Sequence, residues 1–279
     1  MRSDEIRSQQ RDTWDKFSPG WRKWDEIVMD MLRPVGESMV ERIDPREDAS
    51  HLDVAAGTGE PGLTIAARAP KGRVVLSDLS LGMLEGAKKS AADRGLSHVE
   101  VREADASALP FDDASFDSVS CRMGFMFFPD MVSAAHEFAR VLRPGGVVTA
   151  AVWAGPPSNP WATVVMGEIA KVVELPPPSP DAPGLFRCAA PGFVPSLFHD
   201  AGLEVVAEDE IAVVARIASE LYWQYTLEVA APVAASLSMT DDAGRERIRA
   251  GTVAAMTQFE VDGQLQIPGL ARVTTARKH

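Results

Sequence analysis

Three glycines stand between an apolar run, His51-Leu-Asp-Val-Ala-Ala56, and a helical segment opened by Pro61. They lie in Gly57-Thr-Gly59-Glu-Pro61-Gly62. Glycine at a strand-to-helix junction lets the backbone turn tightly and approach a ligand with no Cβ in the way. The spacing satisfies G-x-G-x-x-G, and Asp78 follows about 20 residues downstream, as a dinucleotide fingerprint requires. Taken alone, these residues allow a nicotinamide dinucleotide.

The charges around the loop point elsewhere. Asp53 closes the strand before the glycines, Asp78 stands at the tip of the next strand, and the Asp105-Ala106 pair follows the third. A pyrophosphate would be repelled by these carboxylates and would find no basic residue in the loop to neutralise it. The sulfonium and amino group of S-adenosylmethionine (SAM) are cationic and tolerate all three. SAM is therefore the expected cofactor, with NAD(P) as the outside alternative.

Residues able to move a proton are scarce. Of the five histidines, His51 and His98 begin strands, His136 falls in a surface helix and His279 is terminal. His199 is the remaining candidate, joined by Tyr222 and Glu228 in a later helical segment that also contains Trp223 and Tyr225. Packing of an amphipathic helix is the better explanation of that second cluster. Trp14, Phe17, Trp21, Met123, Phe125, Met126, Phe127, Trp153 and Trp161 could line an apolar pocket for a bulky planar or lipophilic molecule.

These residues need a frame to hold them. Strands are expected at 51–56, 73–77, 98–102, 116–121 and 147–152, and helices at 60–69, 80–93 (capped by Ser80) and 130–142. Strand and helix in alternation mean right-handed βαβ units and a parallel sheet. A helix at 191–201, a strand at 203–214, helical structure at 218–260 and a strand over Gln264–Lys278 follow. Pro268-Gly269 is expected to put a bulge or bend in that last strand. The fold class is thus α/β, a Rossmann-like, doubly wound, mostly parallel seven-stranded sheet. Residues 1–45 form a helical N-terminal lid, broken in two at Ser18-Pro19-Gly20. Residues 46–279 form the cofactor-binding domain, with cover insertions near 155–190, including the loop Leu175-Pro-Pro-Pro-Ser-Pro180, and near 218–262. Open α/β sheets bind ligands at the carboxyl ends of their strands, where such covers would lie.

A formal charge of −12 argues against a nucleic-acid partner and fits a neutral or cationic small molecule. Cys121 and Cys188 form no CxxC pair, so no metal site is expected; a disulfide between them is conceivable, a reducing compartment simpler. The segment Met1-Arg2-Ser3-Asp4-Glu5 lacks the apolar core of a leader, and no stretch approaches the roughly 18 apolar residues of a membrane span. The expected location is the cytoplasm.

Five segments occur in register: Leu52-Asp-Val-Ala-Ala-Gly-Thr-Gly59, Leu76-Ser-Asp-Leu-Ser-Leu-Gly-Met-Leu84, Glu103-Ala-Asp-Ala-Ser-Ala-Leu-Pro-Phe111, Phe116-Asp-Ser-Val-Ser120 and Val141-Leu-Arg-Pro-Gly-Gly146. Through them the region from His51 to Trp153 resembles the class I SAM-dependent methyltransferases. It is similar to the branch of ubiquinone and menaquinone biosynthesis and of small-molecule methylation in secondary metabolism. The resemblance implies transfer of a methyl group from SAM, leaving S-adenosylhomocysteine, to an O, N or C atom of a small apolar or aromatic metabolite. It implies that the backbone around Ala55, Gly57 and Gly59 packs on the methionine portion and that Asp78 accepts from the ribose hydroxyls. Leu79 and Met83 would sandwich the adenine, Asp105 would accept from its amino group, and Ala106 would donate a backbone N–H. Cys121 and Arg122 would lie near the methionine end, and Asp53 would order the loop. Many members carry a His pair where Met126-Phe127 stand here, so the obvious general base is missing. That keeps a non-methylating cyclase or binding scaffold as the alternative. Among the apolar residues, Trp14, Phe17, Trp21, Met126, Phe127 and Trp153 are the candidate acceptor pocket. Ser158-Asn159-Pro160-Trp161 resembles the tetrad of amino-group methyltransferases but follows the fifth strand, and is read as a loop.

Overall fold

The computed structural model describes residues 3–175 and 182–279. Two helices, α1 (Ser3–Lys23) and α2 (Asp25–Ile43), precede β1 (Ser50–Val54), α3 (Gly62–Arg68), β2 (Arg73–Asp78), α4 (Leu81–Asp93), β3 (Val99–Glu103), β4 (Phe116–Arg122), α5 (Met131–Val141) and β5 (Leu142–Trp153). Then come α6 (Pro160–Ala170), α7 (Phe193–Asp200), β6 (Glu204–Ala218), α8 (Tyr222–Val229), α9 (Ala231–Leu237), α10 (Asp242–Met256), β7 (Glu260–Val261) and β8 (Gln264–Arg277). Pro176–Pro180 of the expected loop lie outside the described residues.

The sheet runs β3-β2-β1-β4-β5-β8-β6. The first five strands are parallel, and β8 is antiparallel to both neighbours. The seven expected strands make this path, and β7 adds a two-residue arm on β8. β1 and β2 are buried along almost their whole length, as expected of strands covered on both faces. Edge strand β3 carries Glu100, Arg102 and Glu103, charges that discourage pairing with another chain. Strand order reverses between β1 and β4, which opens a crevice at their carboxyl ends.

Three expectations are corrected. The N-terminal helices part at Trp24 rather than at Ser18-Pro19-Gly20. Pro19 has no N–H for the Asp15 carbonyl, but Ser18 Oγ donates to that carbonyl at 3.0 Å and the helix continues. Gly20 is there for close approach: a Cβ would lie 2.0 Å from the Glu228 carbonyl oxygen of α8. The expected bulge at Pro268-Gly269 is absent, for the β6–β8 register passes through Val214↔Pro268 and Val213↔Gly269. Any side chain at Gly269 would crowd Val213 and Asn159. The helical stretch 218–260 divides into α8, α9 and α10; α9 and α10 build a small core of their own with α6 around Val165, Ile169, Val233, Leu237 and Ile248. Asn159 anchors this region to the sheet. Its Nδ2 donates to the Ala154 and Leu270 carbonyls, while its Oδ1 accepts from Leu270 N and Trp161 Nε1. Its role in the loop is structural.

Candidate functional site

The crevice at the carboxyl ends of β1, β2 and β4 opens into a cleft. The glycine loop forms its floor. Gly57 has φ +55 and Gly59 has φ +119, conformations glycine adopts without strain. Ala55 and Met123 also take positive φ, at the tips of β1 and β4 on either side of the cleft. Strained backbone of this kind persists only where its surroundings hold it in place, and it clusters at binding sites. Below the loop, Asp53 is wholly buried; its Oδ2 accepts from Gly62 N (2.9 Å) and its Oδ1 from Ser120 Oγ (2.6 Å). A Cβ at Gly62 would stand 2.8 Å from that carboxylate. Asp53 thus orders the loop and does not line the cleft.

Asp78, at the end of β2, does line it. One carboxylate oxygen accepts from Gly57 N and the other from Ser80 N, each at 2.9 Å. The carboxylate therefore ties the glycine loop to the start of α4 and still has lone pairs for a ligand. Ser80 caps α4 by accepting from Met83 N. Burial pushes the carboxyls of both Asp53 and Asp78 upward, Asp53 to about 7 against the opposing hydrogen bonds of Ser120 and Gly62.

Ala55, Gly57, Asp78, Leu79, Met83, Asp105, Ala106 and Arg122 all line this one cleft, as do Trp14, Trp21 and Phe127. Trp14 packs edge-on against Phe127 (5.2 Å between centroids) and Trp21 (5.8 Å), giving an aromatic wall opposite the loop. Arg122 reaches toward α2, its Nη2 3.0 Å from Met29 Sδ.

Other expected residues lie away from the cleft. Gly59 turns onto Leu63, and Cys121 is a buried strand residue whose thiol burial pushes well up. Met126 points into the core from the turn that presents Phe127 outward. Trp153 packs against Trp161 with its ring tilted by 53° and 4.7 Å between centroids, and Phe17 lies beside Lys16. None of the three catalytic candidates reaches the cleft. The His199 side chain is 80% exposed on α7 beside Asp200. Tyr222 is buried, its hydroxyl donating to the Trp161 carbonyl. Glu228 accepts from Lys23 Nζ (2.8 Å) and Trp24 Nε1 (2.6 Å), clamping α8 to the N-terminal helices. Nor does any residue of α6 to α10 line the cleft; α8 reaches it through α1, by the bonds of Trp21 to the Val229 carbonyl and of Trp24 to Glu228.

Sequence reasoning missed Arg7, Gln10, Met29, Leu32, Thr58 and Glu60 as lining residues. Arg7 Nε meets Asp105 Oδ2 at 2.5 Å, and Arg11 pairs with Glu103. The signal was legible: two arginines one helical turn apart face the acidic end of β3. Among the described residues no cluster of His, Cys, Asp and Glu could hold a metal, and no helix is long and apolar enough to cross a membrane.

Comparison with known proteins agrees with this geometry. Residues 52–146 match the family model described as a methyltransferase domain. A demethylmenaquinone methyltransferase of Thermus thermophilus is 42% identical over 113 residues, covering 40% of this chain and 51% of the relative. A nocamycin O-methyltransferase of Saccharothrix syringae is 36% identical over 141 residues, half of each chain. The chain thus spans about half the length of the relatives it matches. The crystal structure of the cyclase SpnF shares the fold at 22% identity and a TM-score of 0.55, over 88% of this chain and 80% of that one. The stretch from Leu52 to Gly146, which builds the glycine loop and the strand tips around it, is the part that matches the methyltransferase domain model and is similar in sequence to these methyltransferases.

Proposed function

We propose that this protein is a SAM-dependent methyltransferase acting on a small apolar or aromatic acceptor. The observation that carries the reading is the cleft itself. A carboxylate at the tip of β2 is locked to the glycine loop, and an aromatic wall faces that loop across the opening. Asp78 would accept from the ribose hydroxyls, with Leu79 and Met83 on the adenine faces. Asp105 and Ala106 would meet the adenine edge, and Ala55, Gly57 and Arg122 the methionine portion. When bound, SAM supplies a methyl group activated by its sulfonium. The chain's part is to align nucleophile, methyl carbon and sulfur and to exclude water.

Among the described residues no His, Lys, Tyr or Cys side chain lines the cleft, and its carboxylates are already engaged: Glu60 by Thr64 and Arg94, Asp78 by Gly57 and Ser80, and Asp105 by Arg7 and Ser107. Rate enhancement is therefore assigned to alignment, and the acceptor atom must be nucleophilic without a strong protein base. Trp14, Trp21 and Phe127 form the acceptor side. The lid is α1, and the covers α6 and α8 to α10 hold it in place. The two free, buried cysteines suit a reducing compartment such as the cytoplasm.

The test is transfer of radiolabelled methyl from SAM across phenol, amine and quinol acceptors. Label is expected in an aromatic acceptor, with Phe127→Ala raising KM about tenfold and leaving kcat within about threefold. S-adenosylhomocysteine binding without label in any acceptor would instead favour the cyclase or scaffold reading, and tight NADH binding would overturn the cofactor. The Arg7–Asp105 pair holds α1 over the adenine end. Because the pair is partly exposed, about 1 kcal/mol is the scale of its contribution. Arg7→Met is expected to speed S-adenosylhomocysteine release about fivefold in stopped flow. An unchanged rate would remove the latch from the mechanism.

A further inference from the structure

His51 does more than begin a strand. It is fully buried in β1 between two hydroxyls of β4, with Nδ1 2.8 Å from Ser118 Oγ and Nε2 2.9 Å from Ser120 Oγ. Ser120 Oγ lies 2.6 Å from Asp53 Oδ1, and Asp53 Oδ2 accepts from Gly62 N. The register pairs His51 with Ser118 and Asp53 with Ser120, so the four side chains share one face of the sheet. The row ends at the glycine loop on one side. On the other, Ser118 lines a second cleft together with Arg42, Asp44, Arg46, Asp117 and Arg277. Burying four polar side chains in a parallel sheet is costly unless every one is partnered, and here every one is. Apolar residues would fill the same positions without that requirement, so the row calls for a functional reason.

We propose that Ser118, His51 and Ser120 form a proton path from the second cleft to the Asp53 carboxyl, and act through Asp53 as positioning residues for the cofactor loop. With Asp53 ionised, Ser118 donates to Nδ1, Nε2–H donates to Ser120 Oγ, and Ser120 donates to Oδ1. A proton delivered at Ser118 Oγ reverses the row. Ser118 gives its own proton to Nδ1, Nε2 gives its proton to Ser120, and Ser120 gives its proton to Oδ1. Each O–H or N–H bond broken is matched by one formed, and one proton has been added to Asp53. The ring changes tautomer and stays neutral throughout, because burial pushes its pKa down to about 3.

Asp53 is suited to this exchange, since burial pushes its carboxyl up to about 7. Arg122 of β4 pulls it down, Glu60 of the loop pushes it up, and the neighbouring Cys121 thiol is kept neutral by burial. The ionised form faces a loop assigned to a cationic cofactor, so loop and affinity should respond to pH near neutrality. This consequence rests on the methyltransferase reading; the proton path does not.

The test is the His51 ring in ¹⁵N-histidine-labelled protein, followed by NMR from about pH 5.5 to about pH 8.5. The protonated nitrogen is expected to change from Nδ1 to Nε2 as pH rises through about 7, with no imidazolium signal. Asp53→Asn should abolish the change, and Ser120→Ala should uncouple the ring from Asp53 with the same result. One protonated nitrogen across the whole range, or an ordinary imidazolium titration, would overturn the path. In parallel, S-adenosylmethionine affinity should weaken about tenfold from the upper to the lower pH, and less than about twofold in Asp53→Asn. Failure to bind S-adenosylhomocysteine at any pH, with the tautomer change intact, would overturn the cofactor reading and support the path alone.

Discussion

Asp78→Asn is expected to weaken S-adenosylhomocysteine binding about 100-fold. The carboxylate uses one oxygen for Gly57 N and the other for Ser80 N. An asparagine supplies one acceptor oxygen and turns an NH₂ group toward the second N–H, leaving that buried donor unpaired. Hydrogen bonds to a charged group contribute about 1.5–3 kcal/mol, and an orphaned buried donor costs about 1–3 kcal/mol. Weaker hydrogen bonds to the ribose proposed to bind there and a loosened loop together come to about 3 kcal/mol, or about two decades in affinity. Calorimetric titration measures it. A dissociation constant within about threefold of the parent would remove Asp78 from the ribose site.

Gly20→Ala should cost about 2 kcal/mol of stability although Pro19 and Gly20 sit in an ordinary helix. The new Cβ would lie 2.0 Å from the Glu228 carbonyl oxygen and 2.7 Å from its carbon, and both are backbone atoms of α8. Overpacking against rigid backbone costs about 1–3 kcal/mol, slightly offset by alanine's better helix propensity. Relief requires α1 to move away from α8. That motion would break the Lys23 and Trp24 bonds to Glu228 and the Trp21 bond to the Val229 carbonyl. Thermal unfolding should show a drop of about 4–8 °C. Gly36→Ala is the control: it lies within α2, and its Cβ would meet nothing within 4 Å. That variant should gain up to about 1 kcal/mol. Equal responses of the two would mean that propensity alone is being read.

The parallel half of the fold was legible because its signals are local. Ser80 before a helix, buried apolar runs of strand length and glycines at strand tips each carry their meaning within a few residues. Asp78 and Asp105 could be put at strand tips for the same reason. The errors arose where a distant segment decides the outcome. Gly20 reads as a breaker until α8 is laid across it, and Pro268-Gly269 reads as a bend until β6 pairs straight through it. Met126 and Phe127 are adjacent and equally apolar, and only the tight turn at Phe125–Phe127 decides which one faces the cleft. Glu228 was a reasonable candidate base by type. Its ion pair with Lys23 spans the chain, and that pair holds its carboxyl below the usual range. His51 was set aside for standing at the start of a strand, a position that by itself does not reveal the two serines beside it.

The place of β8 in the sheet has a consequence for the order in which the molecule can be completed. β8 follows every other strand in sequence, yet it lies between β5 and β6, pairing with β6 along its whole length and with β5 over Ala271–Arg277. While the chain emerges from the ribosome, β5 can dock on β4 but presents an unpaired edge until residues 264–277 arrive. At roughly 5–20 residues per second, that interval is about 6–25 s. An open edge of nearly uniformly buried residues is a template for the wrong partner. The cofactor loop, built from β1, β2 and β4, can therefore take shape early, while protection of the sheet against self-association waits for its last strand.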